Sequence, residues 1–195
     1  MMFQRRTKLA LQTERLILRL PLTRDYQEWE ELRRGGDDFL SKWEPVRDQE
    51  YATKRSFQNR AYWAERSFKA KTSVPFLITR RSDGRLMGGV TLDNIRRGAA
   101  LAASVGYWIG PDFSRQGYMQ EALSAVVNFG FTQFDLSRIE AACLPENKPS
   151  RGLLEKSGFK YEGVAQSYLQ IAGRWRTHVL YANLRRDRRG KTDAG

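Results

Sequence analysis

The sequence predicts an α/β protein of the α+β kind: seven strands in a mixed, mostly antiparallel sheet, flanked by about four helices. Three observations predict it. The strand-like run Ser104-Val105-Gly106-Tyr107-Trp108-Ile109 enters a helix through a turn containing Gly117. That helix carries Met119, Ala122, Leu123, Val126, Val127, Phe131 and Phe134 on one face. Before it, three apolar runs separated by short polar turns read as an antiparallel meander, and after it two further runs join around Ala172-Gly173-Arg174.

Taken in order, Met1 to Gln12 reads as a flexible basic arm, residues 13–184 as one domain, and 185–195 as a flexible basic tail. Glu14 to Leu20 alternates as a first strand and ends at Pro21. Thr23 and Asp25 offer capping oxygens to a short helix carrying Tyr26, Trp29 and Leu32, which Gly35-Gly36 stops. Residues Phe39 to Val46 form a loop rich in large apolar side chains, either capping the core or walling an acceptor pocket. Thr53 to Phe68 is a second amphipathic helix, with Phe57, Ala61, Ala64 and Phe68 on one face.

Strands follow at Pro75 to Arg80, Leu86 to Asn94 and Ala102 to Ile109, with turns at Ser82 to Arg85 and Arg96 to Gly98. After the Gly117 helix come a strand at Ile139 to Leu144 and a helix that Asn147 opens as N-cap. Gly158 ends that helix as a left-handed cap and Phe159 folds back onto it. Lys160 to Ala165 and Trp175 to Leu184 complete the sheet.

Composition narrows the function classes. Hydrophobic residues at 41% and aromatics at 12% give a globular chain rather than a disordered one. Apolar runs are far short of a membrane span and no signal-like segment opens the chain, so a cytoplasmic protein without a membrane partner is expected. One cysteine and one histidine exclude a disulfide framework and argue against a metal. The net charge of +12, part of it in Arg5, Arg6, Lys8 and in Arg185 to Lys191, favours polyanionic partners: a phosphorylated cofactor, RNA or an acidic protein surface.

The turn Ser114-Arg115-Gln116-Gly117-Tyr118-Met119 is the chemical centre of the sequence. A helix that starts here leaves its first amides without backbone acceptors, and those amides with the helix dipole suit a phosphate or pyrophosphate. Gly117 lets the chain approach such a ligand without a Cβ in the way. Neither G-x-x-x-x-G-K-[ST] nor G-x-G-x-x-G is present, so the ligand is neither a P-loop nucleotide nor a Rossmann dinucleotide. The second constellation, Asn147-Lys148-Pro149-Ser150, puts an amide and a hydroxyl at one helix end, where both can cap or can bond a ligand.

With these motifs the sequence resembles the GNAT superfamily of acetyl-CoA-dependent N-acetyltransferases, whose signature is Q/R-x-x-G-x-G/A after the fourth strand and then an Asn helix ending in Gly-Phe. Ser114 and Met119 depart from the first and last signature positions. Gln116-Gly117-x-Met119-x-Glu121-Ala122 is similar to the branch that acetylates ribosomal-protein N-termini, most of all the ribosomal-protein-alanine acetyltransferases. Trp43-Glu44-Pro45-Val46-Arg47-Asp48, Gly106-Tyr107, Asn147-Lys148, Gly158-Phe159 and Gly173-x-Trp175-Arg176-x-His178-Val179-Leu180 extend the likeness from Arg15 to Leu184.

The resemblance implies a GNAT fold splayed between its fourth and fifth strands and acetyl-CoA as co-substrate. The backbone around Trp108 and Ile109 would pair with the pantetheine amides, and the amides of Arg115, Gln116, Gly117, Tyr118 and Met119 would hold the pyrophosphate, with Arg115 adding charge. Asn147 would bond the pantetheine arm and Ser150 would sit near the thioester sulfur. Many members use a tyrosine seven residues after the Asn as acid; here Leu154 stands there, so Ser150 takes that role. The carboxylate base of a related branch is replaced by Leu169. Glu44 is then the candidate base, or Tyr107 and Tyr168 orient a water.

Trp43, Glu44 and Tyr168 are the expected acceptor contacts, an amide such as that of Ile109 the oxyanion donor, and His178 and Cys143 are structural. The implied reaction is acetyl transfer to the N-terminal α-amine of a ribosomal protein by a monomer or weak dimer. The alternatives are a small-molecule amine or another protein as acceptor, and a ribosome- or RNA-binding assembly factor working through its basic ends.

Overall fold

A computed structural model describes residues 9–188. Eight strands form one sheet in the order β1-β2-β3-β4-β5-β6-β8-β7. They are β1 (Ala10–Gln12), β2 (Leu16–Arg19), β3 (Val74–Arg80), β4 (Leu86–Arg96), β5 (Ala102–Ile109), β6 (Arg138–Cys143), β7 (Lys160–Ile171) and β8 (Arg174–Leu184). The helices are α1 (Tyr26–Gly35), α2 (Asp37–Leu40), α3 (Lys54–Ala70), α4 (Tyr118–Gln133) and α5 (Lys148–Lys156). The strand beyond the expected seven is β1, which pairs Leu11 with Leu18 and so fixes the end of the segment read as an arm. Of that segment, Met1 to Lys8 lie outside the described residues, as do residues 189–195 of the expected tail.

Every neighbouring pair is antiparallel except β5 and β6. That exception is dictated by the chain: β5 and β6 are joined by α4, and a helical crossover returns a strand parallel to its predecessor. α4 lies on one face of the sheet because its apolar stripe needs cover. Ala122, Leu123 and Val126 are fully buried there with Leu16, Leu18, Ile78, Val90 and Leu92 of the strands and Leu154 of α5. Each such leucine or valine contributes roughly 1.5–3 kcal/mol by leaving water. α1 and α3 cover the opposite face with a smaller cluster of Trp29 and Phe57 on Leu77 and Leu86. Between the two layers β3 is buried on both faces, hence its uninterrupted Phe76-Leu77-Ile78 run.

The expected elements are present, with three differences. The loop 39–46 contains helical turns at Asp37–Leu40 and Ser41–Trp43. β7 runs to Ile171 through irregular pairing between Ala165 and Leu169, where Ser167 has a positive φ of 47°. Arg185, read as the start of a loose tail, is fixed: its guanidinium donates to the Phe131 carbonyl (3.1 Å) and to Asp135 (2.6 Å). Among the described residues no helix is long and apolar enough to cross a membrane.

Candidate active site

The site begins where β5 and β6 part. They pair over Ala102–Arg138, Ala103–Ile139 and Ser104–Glu140, after which Val105 to Ile109 has no partner on that side among the described residues. On its other side β5 stays paired with β4 as far as Ile109 against Gly88. The Gly110 amide donates to the Met87 carbonyl (2.8 Å), which fixes the phase of the ladder. By alternation the main-chain groups of Trp108 also face β4, while those of Tyr107 and Ile109 face the opening. Tyr107 and Ile109 thus turn their main-chain groups to the opening, where no strand pairs with them among the described residues, whereas those of Trp108 face β4.

Two glycines explain how β4 and β5 come so close. A Cβ on Gly88 would lie 2.3 Å from the Trp108 carbonyl oxygen, and one on Gly89 would lie 2.7 Å from the Trp108 indole nitrogen. Gly88-Gly89 is a glycine pair inside a strand pattern, a recognised mark of close backbone approach, and the sequence reading passed over it.

The turn after β5 has the expected form. Arg115 and Gly117 both adopt positive φ, 60° and 81°, and Gly117 is the N-cap of α4. The first amide of this region with a backbone acceptor is that of Glu121, on the Gly117 carbonyl (3.1 Å). From Arg115 to Gln120 no main-chain amide has a hydrogen-bond acceptor among the described residues. A row of unsatisfied amides at a helix N-terminus suits an anion such as a phosphate or pyrophosphate. The Gln116 side chain is occupied elsewhere, donating to the Asp112 carbonyl (2.6 Å).

Arg15 is the residue that sequence reasoning missed here. Its guanidinium donates to the Gln116 carbonyl (3.1 Å), pairs with Glu121 (2.7 Å) and lies over the Tyr118 ring, 4.5 Å from its centroid. Burial pushes the Glu121 carboxyl up, but bonds from Thr13 and from Arg15 outweigh it and hold the group below the ordinary glutamate range. A strand-opening arginine 106 positions away in sequence gives no local signal of this contact.

Below the cradle, the Asn147 side chain accepts from the Ser150 amide (3.1 Å), so the expected N-cap is present and its Nδ2 donors stay available. Pro149 costs little in the first turn. The Tyr107 hydroxyl lies 2.8 Å from Ser150 Oγ. Burial raises the Tyr107 phenol well above its ordinary range, the Ser150 bond offsetting only part of that, so the group stays protonated. Burial likewise raises the Cys143 thiol, with the Ser150 hydroxyl opposing; a buried thiol closing β6 packs rather than reacts. Leu154 is fully buried, in keeping with the absence of a tyrosine acid there.

Trp108 projects to the opposite face from Tyr107 and borders a cavity of about 530 Å³ lined by Trp29, Arg33, Arg47, Tyr51, Arg60 and Trp63 among others. Arg33 stacks on Trp108, 4.8 Å from the ring centroid, and is held by both Glu44 oxygens, at 3.0 and 2.5 Å. Burial pulls the Arg33 guanidinium down but the Glu44 bonds leave it raised overall. Glu44, the candidate base, is an ion-pair partner here: both its oxygens accept from the Arg33 guanidinium. Its carbonyl accepts from the Ala172 amide (3.0 Å), docking the aromatic loop on the tip of the β7–β8 hairpin.

Trp43 is half-buried in that loop with Lys42 over its ring, and it does not border the cavity. Tyr168 is exposed and meets His178 edge-on, with centroids 5.6 Å apart. His178 is buried and its Nδ1 lies 3.0 Å from the Arg176 carbonyl, a bond within its own strand. No group of three or more His, Cys, Asp or Glu side chains is gathered for a metal among the described residues.

The family model of the GNAT acetyltransferase domain matches residues 15–160, which spans the divided strands, the amide cradle and the Asn147 helix. The chain is a GNAT acetyltransferase. The Escherichia coli [ribosomal protein uS5]-alanine N-acetyltransferase is 34% identical over 175 residues, covering 90% of each chain. Among solved structures, the ribosomal-protein-S5-alanine acetyltransferase of Vibrio fischeri superposes with a TM-score of 0.86 at 26% identity, over 93% of this chain and all of that one. RimJ of Mycobacterium smegmatis, in complex with CoA-disulfide, superposes with a TM-score of 0.83 at 31% identity, over 90% of this chain and 84% of that one. The acetyltransferase thus has family relatives that match nearly its whole length, and one of them is solved with a CoA derivative bound.

Proposed function

We propose that this acetyltransferase transfers the acetyl group of acetyl-CoA to the N-terminal α-amine of a ribosomal protein. The observation that carries the reading is the opening at Tyr107 and Ile109, with unbonded amides at one end and the Tyr107–Ser150 pair beside it. The likeness to a uS5-alanine N-acetyltransferase, over 90% of each chain, supports the acceptor class.

The residues fit acetyl-CoA as follows. The amides from Arg115 to Gln120, with Arg15 and Arg115 adding charge, hold the pyrophosphate. The main-chain groups of Tyr107 and Ile109 pair with the pantetheine arm as a further strand would, and Asn147 Nδ2 donates to it. When bound, acetyl-CoA supplies a thioester carbonyl open to direct attack by an uncharged amine. The Ile109 amide is placed to donate to the oxygen that gains charge. Ser150 donates to the departing sulfur, and the Tyr107 hydroxyl, kept protonated by burial, lies 2.8 Å from Ser150 Oγ and holds that side chain in place.

No strong base is required of the protein. An α-amine has an unperturbed pKa of about 7.7–8.0, so a substantial fraction is uncharged near neutrality, and water removes the remaining proton. The amine enters from the cavity beneath Trp108, on the face opposite Ser150.

The test is acetylation of an Ala-starting N-terminal peptide of uS5, read by mass spectrometry, against polyamines and aminoglycosides as competing acceptors. Transfer to the peptide α-amine alone is expected. Equal transfer to polyamines would move the acceptor to small molecules. Binding of acetyl-CoA without transfer to any amine would favour an assembly role through the basic ends.

A further inference from the structure

The acceptor cavity carries more positive charge than its contacts neutralise. Arg33, Arg47 and Arg60 all border it, and none of its lining residues is an aspartate or glutamate. All three guanidiniums surround one ring: their carbons lie 5.6, 4.5 and 4.2 Å from the Tyr51 centroid. Glu44 takes up Arg33 in full and reaches Arg47 only at 3.5 Å. Arg60 has no carboxylate bonded to it among the described residues. It donates to the Tyr51 carbonyl (2.6 Å) and stacks on Trp29, 4.5 Å from the centroid.

A guanidinium carries five N–H donors, and desolvating one without an anion is costly. Burial accordingly lowers the Arg60 pKa, and although Tyr51 and Asp48 oppose it, Arg47 and Arg33 add to the fall. Aromatic walls (Trp29, Tyr51, Trp63, Trp108) give such a cavity its apolar contact area. Arginines left with open donors inside an aromatic cavity give it a preference for planar anions.

We propose that Arg60, with Arg47 at the rim, recognises a carboxylate side chain within the first few residues of the acceptor peptide. The inference rests on the peptide-acceptor reading and adds to it a selectivity that the α-amine alone does not provide. The acceptor class is thereby an N-terminus carrying an early aspartate or glutamate. Bidentate pairing with Arg60 fixes the peptide's register while its amine lies near Trp108.

The experiment uses the full chain and Ala-starting hexapeptides, identical except for one glutamate or glutamine at the second, third or fourth position. Binding is followed by calorimetry with CoA present, and transfer by mass spectrometry. One glutamate peptide is expected to bind about tenfold or more tightly than its glutamine counterpart, the scale of one hydrogen bond to a charged group. Arg60→Gln, which keeps a donor for the Tyr51 carbonyl, is expected to abolish that preference by raising KM for the glutamate peptide. Its CoA affinity should stay unchanged. Arg60→Lys should restore part of the preference.

Equal binding of all glutamate and glutamine pairs by the native chain overturns the proposal, as does a preference that survives Arg60→Gln. A loss of CoA affinity in Arg60→Gln also overturns it, assigning the charge to the cofactor. Arg60-dependent binding of a glutamate peptide without transfer leaves the anion site standing and removes the peptide-acceptor reading instead. The two ideas therefore fail separately.

Discussion

The hydroxyls of Tyr107 and Ser150 lie 2.8 Å apart across the gap between β5 and the start of α5. Tyr107 comes from β5, the last strand of the meander, and Ser150 from a helix that begins after the next strand. Ser150→Ala should lower kcat about 10- to 100-fold, the worth of one hydrogen bond to a charged group, with CoA affinity nearly intact. Tyr107→Phe should cost less, and the double variant no more than Ser150→Ala alone, because the two act as a unit. Steady-state kinetics beside calorimetric CoA binding decides the matter: equal losses of kcat and CoA affinity would remove Ser150 from the chemical step.

The pH profile follows from the same pair. Tyr107 has a raised pKa, so its proton is retained below and through its ordinary range and lost only on further alkalinisation. The rate at subsaturating peptide should climb as the acceptor amine loses its proton near pH 8, then stay level to about pH 10. A descending limb between pH 8 and 10 that Tyr107→Phe abolishes would contradict a protonated donor.

Gly117→Ala tests the cradle. The residue sits at φ +81°, and a Cβ there would meet an Arg15 Nη at 3.3 Å. A left-handed conformation costs an L-residue about 1–2 kcal/mol. The expected result is weaker CoA binding, by about tenfold, with peptide binding to the opposite face unaltered. Unchanged CoA affinity would mean that the cofactor phosphates lie elsewhere.

Glu121→Gln releases Arg15 from the turn. Because the Glu121 pKa is lowered on folding, its contribution to stability is complete above the unfolded carboxylate range and disappears as pH falls through the lowered value. Near neutral pH the variant should bind CoA more weakly than the native chain, and the acid side of the native stability curve should flatten in the variant. A stability difference that is independent of pH between 3 and 7, on the order of the range for such a carboxylate, would show that the charge is not what matters.

Glu44→Gln separates base from brace. As the partner of a buried Arg33, its loss should lower stability by about 2 kcal/mol, or about 4–8 °C in Tm for a chain of this size. If bracing is its work, kcat should fall by no more than about threefold. A collapse of kcat with an unchanged Tm would restore Glu44 as the base.

Much of this molecule was legible along the chain because the signals were local. The helix after Gly117 shows in a 3.6-residue stripe, the Asn147 cap in its position before Pro149, and the Gly158 turn in a glycine before an apolar anchor. The strand β1 escaped because a three-residue edge carries almost no periodicity. The extent of β7 escaped because its pairing is interrupted at Ser167. Which amides around Trp108 face the gap was not legible, because only the Gly110–Met87 bond fixes it.

The sequence by itself determined the order of the larger elements, the left-handed Gly158 and the Asn147 cap, since each depends on residues within a few positions. Tertiary structure alone decided that β5 and β6 part after Ser104, that Arg15 reaches Gln116 and Glu121, that Glu44 is committed to Arg33, and that Arg60 meets no carboxylate among the described residues. Those are relations between side chains far apart in the chain, set by how two layers of helices close on one twisted sheet, and no local propensity encodes them.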